Sequence, residues 1–584
     1  MRHRRHQGRL EAHWLGKQDL LDPEAAMAAL QERRKDRVNY SLLRDGLKVC
    51  HDAAVYARAA GDDTALQQAA TFADALLRKH VTSSGGIIEW DRNTWLEPWQ
   101  LWRTIPWGVN FSGNQAYETW LVVRDALTPE QQDFWRQSLE RTGEWIYGNP
   151  VVGGYVFNCG IDLCALLWRL GDAFDRPVWK RWAVETASAR IARDIDDEGW
   201  IQAEDGGSSG FYQMVGADLL ARFAWESQEP VLIAAVHRLF ARSALPYASP
   251  ALDWPGNYGT RTSRLRKVSE HLVLAAAAFG DRHAAHFVQT FAHPGWPGNP
   301  DLWRVALATP TETPSYPAVA RFEGIDSTVL RFGPWAAYFN NYDRATWTRG
   351  FTNLWHTGHG DWVFSTLHSL APLDSSLQAK SRLDPTADWA GFPHVRVAGR
   401  DVTFESQQRI DRLDAADETD AATVRWTEPL LARTGATGGT MDSDYRFEED
   451  GVTLRIALRD LAGAARVDFH FMRRQDAFVR LWVGNEVADI LAGRLLSAQG
   501  HYETRRLPAG QPRLYGVQVN RTVFAFEVIE APAGADISLV NETPKGLHTG
   551  DLTGFPSGGF RFRIDLPETD RNPVIVLRLR ARSP

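Results

Sequence analysis

An asparagine at the start of a helical pattern is the first residue whose setting suits chemistry. Residues 153–160 read Gly-Gly-Tyr-Val-Phe-Asn-Cys-Gly, a glycine-rich turn that leads into apolar residues at helical spacing. The amide of Asn158 is a neutral hydrogen-bond donor, and such a group can hold the carboxylate of a substrate. Asparagine is also a favoured N-cap residue. Two roles for Asn158 therefore stay open: donor to a substrate, and cap of the helix.

A tyrosine at the end of a loop of small residues is the second candidate. Residues 204–212 read Glu-Asp-Gly-Gly-Ser-Ser-Gly-Phe-Tyr, and Tyr212 falls in the first turn of the next helical pattern. Glycines allow a backbone to approach a ligand closely. A phenol with its usual pKa of about 10 serves as an acid at neutral pH, and it serves as a base when a nearby cation lowers that pKa. A half-buried tyrosine that only forms a hydrogen bond is the alternative.

Histidines and aspartates cluster in the third candidate segment. Residues 353–362 read Asn-Leu-Trp-His-Thr-Gly-His-Gly-Asp-Trp, so His356, His359 and Asp361 lie within six residues among glycines. Asp374 and His394 follow along the chain. Packing of an apolar core does not explain this cluster. Histidine and carboxylate ligands at mixed spacing suit Zn²⁺, which makes a metal site one interpretation and polar residues without a metal the other.

The elements that position these candidates are predicted to be helices in the first half of the chain. Apolar residues recur at helical spacing in the segments 42–60, 64–79, 115–126, 129–146, 158–174, 178–193, 212–225, 230–243 and 268–279. The connections are short and rich in Gly, Asp and Pro. The rhythm of paired helices predicts an (α/α) toroid, an incomplete barrel of helical hairpins.

The periodicity changes to two in the second half of the chain. Strands are predicted at 328–339, 402–410, 422–426, 452–458, 466–471, 478–483, 523–528, 560–564 and 574–579. Breaker-rich segments before them indicate a linker. We therefore predict a multidomain α+β chain. A helical catalytic domain covers 1–300, a linker 301–325, and an antiparallel β-sheet or sandwich region 326–584, which contributes His356 and the metal site.

Composition excludes some classes of partner and favours others. The formal net charge of −7 argues against a nucleic-acid-binding protein, which would have a basic patch. A local Arg-rich cleft for an acidic polymer remains compatible with that charge. The 24 tryptophans fit two interpretations, large rings in a helical core or platforms on which sugar faces stack. Five of them, Trp90, Trp95, Trp99, Trp102 and Trp107, crowd the segment just before Asn110.

Cysteines and targeting segments give further expectations. The three cysteines, Cys50, Cys159 and Cys164, are predicted to be buried free thiols, because their number and spacing form no disulfide framework. The sequence contains no run of about 18 apolar residues, so no membrane span is predicted. The first forty residues do not resemble a secretory signal. We expect either a cytoplasmic protein or a sequence that lacks its leader.

Taken together, these motifs resemble those of the heparinase II/III-like polysaccharide lyases, a group that includes oligoalginate lyases. The Asp-Gly to Ser-Gly-Phe-Tyr loop, then Gly-His-Gly-Asp, then Pro-His-Val-Arg-Val-Ala-Gly occur in the order that this family shows. The resemblance covers residues from about 100 to about 400 by motif. It implies an (α/α) toroid followed by antiparallel β-sheets, and β-elimination at a uronic acid that leaves a 4,5-unsaturated uronyl product.

The resemblance also implies a role for individual residues. Asn158 matches the asparagine that neutralises the uronate carboxylate, Tyr212 the tyrosine that acts as acid and in some members as base, and His356 the histidine at the cleft. His359, Asp374 and His394 resemble the ligands of a structural Zn²⁺ site in the β-region. The sequence differs from the family where Thr357 replaces the first His of His-x-His-x-Asp, and where Cys159 replaces a histidine.

Other residues are expected to contact the substrate. Stabilisation of the enediolate by preorganised donors is worth about 3–4 kcal/mol for each donor, and an arginine near the tyrosine would lower its pKa. Tyr258, Tyr338 and Tyr342 are candidates for a second base. The substrate-binding set is Trp107, Asn110, Asn114, Gln115, Tyr258, Arg261 and Tyr342.

Two other functions stay open. A glycoside hydrolase on a similar helical barrel would use two carboxylates about 5–10 Å apart, and Glu118, Asp162, Glu204 and Asp205 are available. A noncatalytic carbohydrate-binding relative is the other alternative. The expected partner is an acidic polysaccharide or oligosaccharide substrate, with no nucleic acid and no membrane.

Overall fold

The chain forms two compact units. The computed structural model describes residues 42–80, 112–149, 152–153, 156–202, 210–244, 269–292, 296, 298–315, 317–323, 327–340, 350–356, 361–365, 393–406, 414–417, 419–432, 434–472, 479–483, 486–488, 504–506, 514–519, 522–542 and 559–582. Unit 1 contains Met1–Ile195, Val215–Val236 and Ala292–Leu302. Unit 2 contains Asp196–Met214, His237–Phe291 and Trp303–Pro584.

Helices occupy the described chain up to residue 308. In chain order they are α1 (Leu42–Ala60), α2 (Asp63–His80), α3 (residues 112–123), α4 (Pro129–Ile146), α5 (Phe157–Ala173), α6 (Pro177–Asp194), α7 (Gly210–Ser227), α8 (Pro230–Ala244), α9 (Glu270–Ala278), α10 (Arg282–Phe291) and α11 (Pro300–Ala308). Within unit 1, α1 packs on α2 and α5 on α6 as helical hairpins. Most of the predicted helices are confirmed within a few residues of their predicted ends.

Local sequence explains where these helices begin and which face they bury. Thr128 caps α4, since its side chain accepts a hydrogen bond from the Gln131 backbone and the Gln131 side chain accepts one from the Thr128 backbone. Phe157, Ile161 and Cys164 line the buried face of α5. These apolar faces form the core of unit 1.

Strands follow from residue 319 onward, and all of them belong to unit 2. They are β1 (Val319–Phe322), β2 (Ser327–Phe332), β3 (Trp335–Asn340), β4 (Gly350–His356), β5 (Asp361–Ser365), β6 (His394–Ala398), β7 (Thr403–Ser406), β8 (Asp414–Asp417), β9 (Ala422–Leu431), β10 (Thr437–Glu448), β11 (Gly451–Arg459), β12 (Ala465–Met472), β13 (Val479–Val483), β14 (Glu486–Ala488), β15 (Thr504–Arg506), β16 (Leu514–Val519), β17 (Thr522–Glu530), β18 (Asp536–Glu542), β19 (Gly559–Leu566) and β20 (Val574–Arg582). Helices first and strands afterwards confirm the α+β layout.

Two antiparallel sheets share one core in unit 2. A five-stranded sheet has the order β1-β2-β3-β4-β5, and a 15-stranded sheet runs from β14 through β20, β11, β10 and β9 to β15. Leu330 and Phe339 of the smaller sheet belong to the same buried cluster as Met441 and Leu577 of the larger one. The ring centroids of Phe339 and Trp426 are 5.9 Å apart.

Parts of the predicted organisation differ in detail. The predicted strand 328–339 is a hairpin, because Gly333 takes a φ of 52° and turns the chain between β2 and β3. The predicted linker 301–325 contains most of α11 and the whole of β1. None of the described helices is long and apolar enough to cross a membrane.

Tryptophans and cysteines of the described residues lie largely inside the units. Trp135, Trp200 and Trp335 rank among the largest fully buried side chains, and no tryptophan is among the exposed large hydrophobic residues of the described chain. The core interpretation holds for these tryptophans. Trp90, Trp95, Trp99 and Trp102 lie outside the described residues. The predicted buried free thiols are confirmed, and burial raises the pKa of Cys50 and Cys164 to about 12.

Candidate functional site

Asn158 is a buried amide that caps nothing. The N-cap of α5 is Val156, so that Asn158 is the second residue of the helix rather than its cap. Its side chain is 7% exposed, and its Oδ1 is buried and accepts no hydrogen bond from the described chain. A buried polar atom without a partner costs about 1–3 kcal/mol. The capping interpretation is therefore wrong, and a different reason is needed for an amide at this position.

The backbone that leads into Asn158 is held by two arginines of α6. Nη1 of Arg190 lies 3.2 Å from the Val152 carbonyl oxygen and 2.9 Å from that of Gly153. Nη1 of Arg193 donates to the same Gly153 oxygen at 2.9 Å. Asp194 forms ion pairs with both arginines, at 3.0 Å to Arg190 and 2.6 Å to Arg193. The glycine-rich turn is thus tied to the end of α6.

One turn beyond Asn158, a polar network joins three helices of unit 1. Asn114 of α3 donates through Nδ2 to Oδ1 of Asp162, at 2.7 Å, and accepts from Nη1 of Arg169 at 2.7 Å. Arg169 also forms a two-pronged ion pair with Glu226, with both contacts at 2.6 Å. Glu118 lies 3.7 Å from Arg169. Both ends of the Asn114 amide are therefore bound within the protein.

Burial changes the acidity of Asp162. Desolvation raises the pKa of its carboxyl from 3.8 to about 7, with Glu118 acting in the same direction. Arg169, the hydrogen bond from Asn114, and Arg222 act against this increase. The network consequently contains a carboxyl that titrates near neutral pH.

Gln115, the other described member of the predicted substrate-binding set, is half-buried on α3. Its carbonyl oxygen accepts a hydrogen bond from Oγ1 of Thr119 at 2.7 Å, which is an ordinary bond within the helix. This hydrogen bond uses only the backbone of Gln115 and therefore gives no role to the Gln115 side chain.

Tyr212 occupies the first turn of α7, where the sequence predicted it. The next residue, Gln213, is 1% exposed and fixes this turn in unit 2. Its Oε1 accepts from the Ile201 backbone at 2.7 Å, and its Nε2 donates to the Gly199 carbonyl at 2.9 Å. Between these, Trp200 packs edge-on against Phe322 of β1 with ring centroids 5.4 Å apart. The start of α7 is therefore anchored to the first strand of the smaller sheet.

His356 is the last residue of β4 in that same sheet. Its backbone pairs with Trp335 of β3 on one side and with Asp361 of β5 on the other. Tyr338, the described candidate for a second base, is 1% exposed on β3. A strand paired on both sides thus ends at the histidine that the sequence singled out.

His394 is the described member of the predicted metal ligands. It begins β6, is 1% exposed, and pairs in register with Asp468 of β12. Asp468 is buried and forms an ion pair with Arg563 at 2.8 Å. Among the described residues, no group of three or more His, Cys, Asp or Glu side chains is placed to hold a metal ion.

Several predicted site residues lie outside the described residues. They are Trp107, Asn110, Tyr258, Arg261, Tyr342, His359 and Asp374, together with the hydrolase candidates Glu204 and Asp205.

Sequence reasoning missed Arg190, Asp194 and Gln213. Each of them bonds to backbone groups or charges elsewhere in the chain. Gly160, a glycine in the first turn of a helix, was the one local signal that a side chain packs closely there.

Comparison with known proteins identifies the fold. No family model and no curated protein matches the sequence. Among solved structures, heparinase III is similar with a TM-score of 0.54 at 11% identity, over 93% of this chain and 77% of that one. A xanthan lyase from Paenibacillus gives 0.53 at 10% identity, over 94% and 54%. A mutant heparan sulfate lyase from Pedobacter heparinus gives 0.51 at 9% identity, over 93% and 76%.

These similarities establish the architecture and nothing finer. At 9–11% identity, the chain shares with the three enzymes a polysaccharide-lyase fold over more than nine tenths of its length. The resemblance seen in the sequence motifs is thereby confirmed at the level of the fold.

Proposed function

We propose that this protein is a polysaccharide lyase that cleaves a uronic-acid-containing polysaccharide or oligosaccharide by β-elimination. The observation that carries the proposal is the buried, unpaired Oδ1 of Asn158 at the start of α5. A buried amide that costs stability and serves neither as cap nor as part of a network is expected where a ligand completes its bonding. A hydroxyl group of a bound sugar can donate to Oδ1, while Nδ2 of the same amide donates to the carboxylate. The polysaccharide-lyase fold adds support.

The proposed reaction needs a neutralised carboxylate, a base and an acid. The carboxylate of the sugar resists removal of the C5 proton, because the enediolate that forms carries a second negative charge. The Nδ2 group of Asn158 donates to that carboxylate and stabilises the developing charge. The C5 proton then leaves to a base, the C4–O4 bond breaks, and the departing O4 takes a proton from an acid.

Tyr212 and His356 are the proposed acid and base. Tyr212 protonates the leaving oxygen, which a phenol can do without any change in its pKa. His356 accepts the C5 proton, a role that a neutral imidazole fills near pH 7. Their places in the first turn of α7 and at the end of β4 give both residues rigid supports.

A structural zinc ion is a further part of the proposal. His394 is a buried imidazole, and neutral imidazole is a common zinc ligand. His359 and Asp374 would complete the set. Zinc would brace the loop next to His356, and no step of the reaction requires it to touch the substrate. Metal analysis of purified protein and of His394→Ala tests this proposal, with loss of bound zinc expected in the variant.

The finer architecture belongs to the same proposal. We expect the helical region to form the incomplete (α/α) toroid, with a domain boundary between residues 300 and 326 as the sequence indicates.

A panel of acidic polysaccharides tests the function. A lyase releases products with a 4,5-unsaturated uronyl end, which absorb strongly in the ultraviolet. Asn158→Leu has a similar volume without polar atoms, so kcat should fall by about 10²–10³ while the thermal midpoint stays equal or rises. Gln137→Leu, which removes an exposed amide of α4, is the matched control and should retain activity. Full activity in Asn158→Leu would contradict the proposal.

A glycoside hydrolase remains the second candidate because of Asp162. A carboxyl with a pKa of about 7 suits a general acid at neutral pH. A hydrolase would produce reducing ends without ultraviolet absorbance, and Asp162→Asn would abolish its activity. Absence of any product from the panel would favour the noncatalytic alternative.

A further inference from the structure

We propose that Arg190 is a positioning residue that fixes the Asn158 amide for the substrate carboxylate. This inference rests on the proposed function and adds to it a residue that no sequence motif marks. Arg190 is 1% exposed and is one of the largest fully buried side chains of the described chain. A buried guanidinium requires compensation for its lost hydration, which here comes from Asp194 and from two carbonyl oxygens that precede Asn158 in the sequence.

Arg190 binds the chain on the N-terminal side of Asn158. Its Nη1 donates to the carbonyl oxygens of Val152 and Gly153, at 3.2 and 2.9 Å. Its Nη2 lies 3.0 Å from Oδ2 of Asp194, whose side chain is only 6% exposed. One planar group therefore links the glycine-rich turn to the last turn of α6, a geometry that the arginine fork allows and a lysine does not.

Arg190 also contacts the residues that flank Asn158 in α5. Its Cζ lies 5.9 Å from the centroid of the Phe157 ring. A Cβ at Gly160 would lie 2.6 Å from Cζ and Nε, so only glycine admits the guanidinium at this distance. Arg190 therefore contacts residues 152, 153 and 157 before Asn158 in the sequence and residue 160 after it.

Asn158 itself takes no bond from this arrangement. Its Oδ1 is buried and unpaired within the described chain, so the surroundings fix its backbone and leave the amide to a ligand that donates to Oδ1 and accepts from Nδ2. A preorganised donor is expected to have these two properties. Neighbouring residues fix the position of the side chain, and its hydrogen bonds form with the substrate in the transition state.

Arg190→Lys is the first test, since it keeps a positive charge beside Asp194 and loses the fork. Misplacement of a catalytic group by about 1 Å costs about 10²-fold. We expect kcat to fall by about 10- to 100-fold with KM changed less than about threefold. Gly160→Ala leaves Arg190 intact and pushes its guanidinium away, and should lower kcat in the same direction. Arg176→Lys, in an exposed ion pair with Glu140, is the matched control.

Three readouts distinguish positioning from simple stabilisation. If Arg190 acts through Asn158, the double variant Arg190→Lys/Asn158→Leu is no slower than Asn158→Leu alone. A methyl-esterified uronate needs no neutralisation of its carboxylate, so the loss in Arg190→Lys should shrink on that substrate. Faster amide hydrogen exchange confined to residues 152–160 is expected in the same variant.

The outcomes separate the inference from the function. Additive losses in the double variant, or equal losses on free and esterified substrates, would overturn the positioning role while the lyase reaction stands. A wild-type protein that makes no unsaturated product, or an Asn158→Leu variant as active as wild type, would overturn the proposed function and this inference with it.

Discussion

Two asparagines of unit 1 have the same chemistry and different surroundings. The amide of Asn114 is bound at both ends, to Asp162 and to Arg169. The Oδ1 of Asn158 has no partner in the described chain. Satisfied polar networks rigidify a fold, whereas an unsatisfied buried group costs stability. The bound amide of Asn114 supports the packing of the helices, and under the proposed function contact with the substrate carboxylate falls to Asn158.

Asp162 gives a prediction about the pH dependence of stability. Burial raises the pKa of its carboxyl from 3.8 to about 7. Because the pKa is higher in the folded state, folding favours the neutral acid, and this contribution is complete below the unfolded pKa and is lost as pH rises through about 7. The thermal midpoint of wild type should fall between about pH 5 and pH 8 more steeply than that of Asp162→Asn. Differential scanning calorimetry at both pH values measures the difference.

The comparison with Asp162→Asn removes contributions from other titrating groups. Oδ1 of an asparagine at 162 can still accept from Asn114, so the variant keeps that hydrogen bond. Equal slopes in the two proteins would show that Asp162 is ionised throughout this range and that burial does not control its charge.

Motifs located the candidate residues but not their supports. Asn158, Tyr212 and His356 stand in short segments with distinctive spacing. Arg190 bonds carbonyl oxygens 38 and 37 residues away, and every backbone offers such oxygens. No residue type at 152 or 153 could therefore indicate the contact.

Among the elements, helices were predicted more accurately than strands. An amphipathic pattern over 15 or more residues is a clear sequence signal for a helix, as α4 and its capping box illustrate. The short helices α10 and α11 were missed, because breakers surround them and their patterns are brief.

The long strand β10 was missed for a different reason. Its sequence, Thr-Gly-Gly-Thr-Met-Asp-Ser-Asp-Tyr-Arg-Phe-Glu, has glycines and small polar residues that are typical of loops. Nevertheless its burial alternates strictly from Met441 to Phe447. Pairing with β9 and β11 on both sides overrides its weak β-propensity.

Gly438 at the start of β10 allows a test of the packing between β10 and β7. A Cβ at this position would collide with the ring of Phe404 from β7. Gly438→Ala should lower the free energy of unfolding of the β-region by about 1–3 kcal/mol through overpacking. Urea denaturation followed by tryptophan fluorescence measures this, with exposed Thr437→Ala as control. An unchanged midpoint would mean that Phe404 moves aside at little cost.

At the scale of the whole molecule, fold and charge carry separate information. The change from helical to strand periodicity predicted the α+β layout. The solved polysaccharide lyases share that fold at 10–11% sequence identity. Many different core sequences satisfy one pattern of burial, which explains how the fold persists where the sequence does not. The net charge of the surface is not determined by the pattern of burial, and it affects how a charged partner approaches the protein.

The proposed substrate and the protein have charge of the same sign. The chain has 72 acidic and 65 basic residues and a net charge of −7, so a long polyanion is repelled by the molecule as a whole. A short oligosaccharide experiences mainly the local residues. Salt screens the long-range repulsion, since the Debye length falls from about 30 Å at 0.01 M to about 8 Å at 0.15 M.

The ratio of kcat/KM on a long polymer to that on a short oligosaccharide should therefore rise with salt. We expect an increase of about twofold or more between 0.01 M and 0.15 M, measured by ultraviolet absorbance of the unsaturated product. Taking the ratio cancels the effect of salt on contacts at the reacting sugar, which both substrates share. A ratio that falls with salt would indicate that a continuous basic surface guides the polymer, and that the net charge of the chain has no influence on its approach.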